Sequence, residues 1–168
     1  MRLADALRLD RSARLALVGA GGKTAALFCL GRQLSQPAPA RQVGPAPVRP
    51  RVNLVSPAGQ EAATAQTVFL AATTHLATDQ LVLADRHFIL RHETDLELLS
   101  DDLPGGVLLF TGHMGDDERT AGLSVPLMEA LHRLAGQHGL PLLVEADGSR
   151  RRLHRRQYCR VVWPFPLW

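Results

Sequence analysis

Short, continuously apolar stretches alternate along the chain with segments in which apolar residues recur every three or four positions. The first pattern is typical of strands buried on both faces, and the second of amphipathic helices. Strands are predicted at 14–19, 67–73, 81–84, 87–90, 107–111 and 142–146, and helices at 23–34, 93–99 and 124–138. This order predicts an α/β fold, with a mostly parallel sheet and helices on both faces, in three layers.

The two longer predicted helices have recognisable faces and ends. The helix over 23–34 carries its apolar face on Ala26, Leu27, Leu30 and Leu34. The helix over 124–138 is expected to begin with Ser124 as its N-cap and to stop before Gly139 and Pro141, which are common helix-ending residues.

Two segments differ in composition from the rest. Residues 35–66 hold six of the eleven prolines, and we predict a disordered or loosely extended insertion there. Residues 153–168 carry both tryptophans and the only tyrosine. This basic, aromatic tail has two interpretations, an RNA-binding or membrane-surface arm, or an aberrant or truncated end that contributes nothing to a site. The predicted single domain is therefore residues 1–152.

The net charge of +3 suggests nucleic-acid binding, but its distribution does not. Six of the 19 Lys and Arg follow Ser149 with no acid among them, so the preceding body is mildly acidic and a nucleic-acid partner is not expected. No apolar stretch reaches the length of a membrane span, and the N-terminus lacks a signal-peptide pattern, which predicts a cytoplasmic protein with no membrane partner. Cys29 and Cys159 suggest neither a disulfide framework nor a zinc site, and Cys29 is interpreted as a core thiol.

The sequence GAGGKT, residues 19–24, lies between the first predicted strand and the first predicted helix. A glycine turn before a helix N-terminus directs backbone N–H groups at phosphate, while Lys23 would reach the terminal phosphates and Thr24 would help hold Mg²⁺. The usual P-loop has glycine where this chain has Leu17, so the match is to a shorter loop; a purely structural turn is the alternative. The residues assigned to nucleotide binding here are Gly19, Ala20, Gly21, Gly22, Lys23 and Thr24.

A second candidate is the acidic end of the last predicted strand, LLVEADGS. Glu145 and Asp147 are two residues apart, so strand alternation places both carboxylates on one side. Either could hold Mg²⁺ directly or through water. The alternative is an acidic turn that ends the strand at Gly148.

Two further strand ends carry polar residues. Thr73, Thr74 and His75 lie at the end of the second predicted strand and face the same sheet edge, where they could meet phosphate, metal or a second substrate. A structural or merely exposed histidine is the alternative. FTGHMGDDE, residues 110–118, could form a mobile loop over the site. His113, Asp116 and Asp117 in this loop are weaker metal candidates, because acids in surface loops are common.

Taken together, VGAGGKT, ATTHL and LLVEADGSRRR resemble the family of selenium-dependent hydroxylase accessory proteins, often called YqeC. The resemblance covers residues 14–34 and 67–152, and EADGSRRR is its most distinctive motif. It implies a P-loop NTPase-like ATPase or kinase that uses ATP or GTP with Mg²⁺ in the maturation of selenium-dependent molybdenum hydroxylases. The implied partners are a molybdenum hydroxylase or its cofactor-maturation proteins.

The resemblance also assigns the site residues. It implies catalytic roles for Lys23, His75, Glu145 and Asp147, nucleotide contacts for Thr73 and Thr74 beside the glycine loop, and Mg²⁺ ligation by Thr24, Glu145 and Asp147. Gly148 and Ser149 complete its acidic segment. The proline-rich insertion and the sequence LHRRQYCRVV after Arg152 depart from the family pattern.

Two other function classes remain open. The short glycine loop also resembles that of Mur-type amide ligases, although their other domains are absent from this sequence. A nucleotide-switch chaperone that passes on a molybdenum cofactor, without chemistry on a second substrate, is the other alternative.

Overall fold

The computed structural model describes residues 2–19, 21–36, 65–99, 103–115 and 119–146, and the structural findings concern these residues. The elements follow the chain as α1 (Leu3–Ala6), β1 (Arg14–Leu17), α2 (Lys23–Ser35), β2 (Thr67–Ala72), β3 (Leu76–Ala77), α3 (Thr78–Leu81), β4 (Arg86–Ile89), α4 (Thr94–Glu97), β5 (Gly106–Thr111), β6 (Arg119–Thr120), α5 (Val125–Gln137) and β7 (Leu142–Glu145).

Five strands form one sheet in the order β1-β7-β2-β5-β4, and every neighbouring pair is parallel. The inner strands β5 and β7 are buried along their whole length, and β2 is buried from Val68 onward. The edge strands β1 and β4 are partly exposed. Burial on both faces explains why the inner strands are apolar except at their ends, since neither face can carry an unpaired polar residue without loss of solvation.

Helices cover both faces of this sheet. Phe69 and Ala71 of β2 face a core that α4 and α5 complete, whereas Val68 and Leu70 face a second core that α1 and α2 complete. The alternation follows from the period of two along a strand. The predicted α/β fold with a parallel sheet and helices on both faces is therefore confirmed.

The predicted strand at 81–84 is wrong. Leu81 ends α3, and the following residues turn, with Leu83 N–H donating to Gln80 O at 3.2 Å and Ala84 N–H to Leu81 O at 3.1 Å. These local bonds satisfy the backbone without a partner strand. The edge strand β4 begins only at Arg86.

The N-cap position of α5 was predicted correctly, but its side-chain capping bond and the burial of Cys29 were not. Ser124 occupies the N-cap of α5, but its side chain makes no capping hydrogen bond, and Pro126 lies in the first turn. Cys29 is exposed rather than part of the core. It lies on the outer side of α2, because Leu27, Phe28 and Leu30 form the buried face, and Gln33 Nε2 donates to its sulfur at 3.2 Å.

Several predictions fall on other parts of the chain. Residues 37–64 of the predicted insertion and the whole tail 153–168 lie outside the described residues. Among the described helices, none has both the length and the apolar composition that a membrane span needs.

One partly buried polar pair predicts a pH dependence of stability. His87 Nε2 lies 2.8 Å from Thr111 Oγ1, which itself donates to Gly112 O at 3.1 Å, so the ring nitrogen is the donor of the pair. Burial lowers the pKa of His87 below its usual 6.5. The unfolded chain then takes up the proton first as the pH falls, and we expect the free energy of unfolding to decrease below about pH 6.5.

Urea denaturation at several pH values measures this effect. His132 contributes in the same direction, because burial and the charge of Arg14 lower its pKa. His87→Gln cannot take up the proton. The stability of this variant should therefore depend on pH less than that of the wild type, and the remaining dependence should come from His132. An identical pH dependence in the variant and the wild type would contradict the assignment to His87.

Candidate functional site

The carboxyl ends of β1, β7 and β2 lie side by side. Glu145 is in register with Leu17 on one side and with Ala72 on the other. The chain continues these pairings past the strands, since Ala146 N–H donates to Leu17 O and Thr73 N–H donates to Glu145 O, both at 2.9 Å. Glu145 is thereby fixed between the glycine loop after β1 and the turn after β2.

The glycine loop connects β1 to α2 through backbone conformations that favour glycine. The φ angles are 133° at Gly19, 77° at Gly21 and 69° at Gly22, all in the left-handed region. A Cβ atom at any of the three would meet nothing within 4 Å, so conformation rather than space requires glycine here. Ala20 lies outside the described residues.

Helix α2 begins directly after this loop with Gly22 as its N-cap. Ala26 N–H donates to Gly22 O at 3.0 Å, which is the first bond of the helix. In the described structure no side chain caps this end. The N–H groups of the first turn and the positive end of the helix dipole therefore face the glycine loop.

Lys23, the first residue of α2, folds back over the loop. Its Nζ donates to Gly19 O at 2.9 Å and lies 3.9 Å from Glu145 Oε1. The side chain is 17% exposed, so the ammonium is largely shielded but still open to a ligand at the loop. This arrangement places a positive charge where the glycine loop and the sheet edge meet.

Glu145 is a carboxylate among mostly buried residues, with a side chain that is 8% exposed. Its Oε2 accepts a hydrogen bond from Thr24 Oγ1 at 2.8 Å, and its Oε1 faces Lys23. A buried carboxylate is costly unless it is paired and hydrogen-bonded, and these two residues provide both. The structure therefore brings together three of the residues that the sequence singled out, from two distant parts of the chain.

The three polar residues after β2 do not all contact the candidate site. Thr73 supports the site, because its hydroxyl donates to Glu145 O at 3.2 Å in addition to its backbone bond. His75 is held elsewhere, with Nδ1 3.1 Å from Thr120 O on β6. Thr74 lies between them and is partly buried. The geometry thus associates Thr73 with Glu145 and His75 with β6.

The segment after β5 is a hairpin rather than an irregular loop, and the sequence did not predict it. Gly112 N–H donates to Ala121 O at 2.8 Å, Ala121 N–H to His113 O at 2.7 Å and Gly115 N–H to Arg119 O at 2.7 Å. Its second strand, β6, pairs in antiparallel fashion with β3. We call residues 112–115 and 119–121 the edge hairpin.

The weaker metal candidates gain no support from this hairpin. His113 is exposed on its first strand, and Asp116 and Asp117 lie outside the described residues. No group of three or more His, Cys, Asp or Glu within the described part of the chain could hold a metal ion. Asp147, Gly148 and Ser149 also lie outside that part.

Sequence reasoning missed Thr120 and Gly122 in and after the edge hairpin. Thr120 is fully buried, and its hydroxyl lies 3.4 Å from Leu76 N and 3.5 Å from Leu76 O. Two-residue strands such as β3 and β6 give almost no periodic signal. In the sequence, Thr120 and the glycines at 112 and 122 were the only signs of this hairpin.

Compared with family models, curated proteins and solved structures, the chain matches none of them. The resemblance to the selenium-dependent hydroxylase accessory family therefore rests on three sequence motifs, and it stays a prediction.

Proposed function

We propose that the protein binds a nucleoside triphosphate with Mg²⁺ at the carboxyl edge of the sheet and hydrolyses or transfers its terminal phosphoryl group, as a P-loop NTPase-like protein. The observation that carries this proposal is the position of Lys23 and Thr24, in the first turn of α2 after a glycine loop, directly against Glu145. A structural turn would not need a lysine, a hydroxyl and a buried acid at one point.

Phosphate is the chemistry that this arrangement suits best. Two sources of positive potential meet at the loop: the Lys23 ammonium, and the uncapped N–H groups of α2, which carry the positive end of the helix dipole. Lys23 now donates to Gly19 O, a neutral acceptor that a charged phosphate oxygen can replace. The carboxylate of Glu145 is paired with Lys23 and accepts a hydrogen bond from Thr24, so it repels an anion less than an unpaired acid would.

The oxygen donors also fit Mg²⁺. Thr24 gives its hydrogen to Glu145, which leaves lone pairs of Oγ1 for a cation. The hydroxyl of Thr24 and the carboxylate of Glu145 are the hard oxygen ligands that Mg²⁺ prefers, with Asp147 as the second predicted acid. Bound there, Mg²⁺ would neutralise charge on the phosphates. Glu145 would keep the Thr24 hydroxyl oriented, and Lys23 would hold the terminal phosphate oxygens.

The wider role follows from the sequence resemblance. We propose that the reaction serves the maturation of a selenium-dependent molybdenum hydroxylase in the cytoplasm, with the hydroxylase or one of its cofactor-maturation proteins as partner. Affinity capture with the full chain should enrich such an enzyme in the presence of Mg-ATP or Mg-GTP, and capture that does not depend on nucleotide would contradict a nucleotide-driven role.

Calorimetry on the full chain tests the nucleotide site. ATP or GTP in Mg²⁺ buffer should bind more tightly than the matching nucleoside monophosphate, and inorganic triphosphate should compete, because the contacts proposed here are to phosphate. Adenosine and guanosine are the controls that lack phosphate. Binding of the nucleoside as tightly as of the triphosphate, or no binding of any triphosphate, would contradict the proposal.

A further inference from the structure

Gly122 lies closer to the turn after β2 than any other residue type could. A Cβ atom added to it would lie 2.3 Å from Thr73 C, 2.4 Å from Thr73 O and 2.8 Å from Thr74 N. Real Cβ contacts essentially never fall under 3.0 Å, and all three atoms are backbone, which cannot rotate away as a side chain can. The φ angle of Gly122 is outside the left-handed region, so its requirement for glycine is steric.

The turn that Gly122 contacts is the one that supports Glu145. Thr73 donates twice to Glu145 O, from its N–H at 2.9 Å and from its hydroxyl at 3.2 Å. The carboxylate of Glu145 accepts a hydrogen bond from the hydroxyl of Thr24. A continuous set of contacts therefore runs from Gly122 through Thr73 to the acid of the candidate site.

The edge hairpin holds Gly122 in place on its other side. Gly112 N–H donates to Ala121 O at 2.8 Å, and a Cβ atom on Gly112 would lie 2.9 Å from Gly122 O. After Gly122 the chain is fixed again, because Leu123 N–H donates to Ala72 O at 2.9 Å. Gly122 is thus set between two fixed points, so added volume must displace the Thr73 turn or the hairpin.

We propose that Gly122 is a positioning residue for the candidate site: by close packing against Thr73 it holds Glu145 toward Thr24 and Lys23, and so it sets the Mg²⁺ dependence of phosphate binding. This inference rests on the proposed function and extends it to the edge hairpin, which contributes no ligand of its own. Partners of a metal ligand typically change metal affinity by about 10- to 100-fold when they are lost.

The test compares Gly122→Ala with Gly136→Ala in the full chain. Gly136 is a matched control, because a Cβ atom there would meet nothing within 4 Å. We expect Gly122→Ala to lower ATP affinity in Mg²⁺ buffer by about tenfold and to leave the affinity in EDTA within about twofold. Hydrogen exchange should show faster exchange of the Thr73 amide, with the Leu142 amide, which bonds Ala13 O at the opposite end of β7, as the internal reference.

Thr73→Val covers the case in which Gly122→Ala does not fold. It keeps the branched shape and removes the hydroxyl that donates to Glu145 O, so it should show a smaller loss confined to Mg²⁺ buffer, and Thr73→Ser should restore the affinity. Equal losses in Mg²⁺ and EDTA, or an unchanged Thr73 amide in Gly122→Ala, would overturn the inference. If the wild-type chain binds no triphosphate, the proposed function itself fails, and that result is recognised before any variant is compared.

Discussion

Lys23→Ala is expected to weaken the binding of Mg-ATP by about 10- to 100-fold, which corresponds to the roughly 1.5–3 kcal/mol of a hydrogen bond to a charged group. Lys23 is the cation nearest to the glycine loop in the described structure, with Nζ 2.9 Å from Gly19 O. Without it the phosphates would face Glu145 with no compensating ammonium. Calorimetry in Mg²⁺ buffer, with circular dichroism to verify the fold, measures the change.

Arg32→Ala is the matched control for this variant. It also removes one positive charge from α2, but Arg32 pairs with Asp85 near the start of β5, at the opposite edge of the sheet. We expect its ATP affinity to stay within about twofold of wild type, because exposed charges beyond a Debye length are screened. Equal affinity of Lys23→Ala and wild type would contradict the phosphate assignment, and equal losses in both variants would indicate a general charge effect.

Glu145→Gln is expected to weaken the Mg²⁺-dependent part of ATP binding and to spare the part that does not need the metal. The amide keeps the shape of the side chain but lacks the negative charge that attracts a cation, so affinity in Mg²⁺ buffer should fall by an order of magnitude or more. In EDTA the affinity should be unchanged or higher, because a negative charge 3.9 Å from Lys23 and close to the phosphates has been removed. A loss of affinity confined to Mg²⁺ buffer is the expected signature.

Titration of the variant with ATP in the two buffers measures both changes at once. Glu97→Gln removes one negative charge from α4, on the other face of the sheet, and should leave both affinities as they are. Equal losses in Mg²⁺ and EDTA for Glu145→Gln would show that the carboxylate only stabilises the fold around Lys23 and Thr24.

The sequence predicted the inner sheet well because burial on both faces leaves a strong signal. β2, β5 and β7 are runs of apolar residues with few alternatives, and α2 and α5 have clear helical periods between glycine or proline boundaries. The placement of Glu145 beside Thr24 also followed, since carboxyl ends of parallel strands meet at one edge. What periodicity could not give was the strand order, which places β7 between β1 and β2.

The failures have local as well as tertiary causes. Leu81 and Ala84 look like a short strand, yet they turn locally and pack on the core of α2. Cys29 is apolar by type but lies opposite the buried face of α2. The close approach of Gly122 to Thr73 depends on a pairing between β3 and β6 that involves two residues on each side.

The position of β1 at the edge of the sheet has a consequence for how the protein folds. In the described structure β1 pairs with β7 alone, and β7 is the last strand of the sheet along the chain. During synthesis β1 therefore has no strand to pair with until residues 142–145 have emerged and inserted between β1 and β2. Such long-range closure makes folding slow, and a nascent chain that has β1 and α2 but lacks β7 has no Glu145 to complete the site.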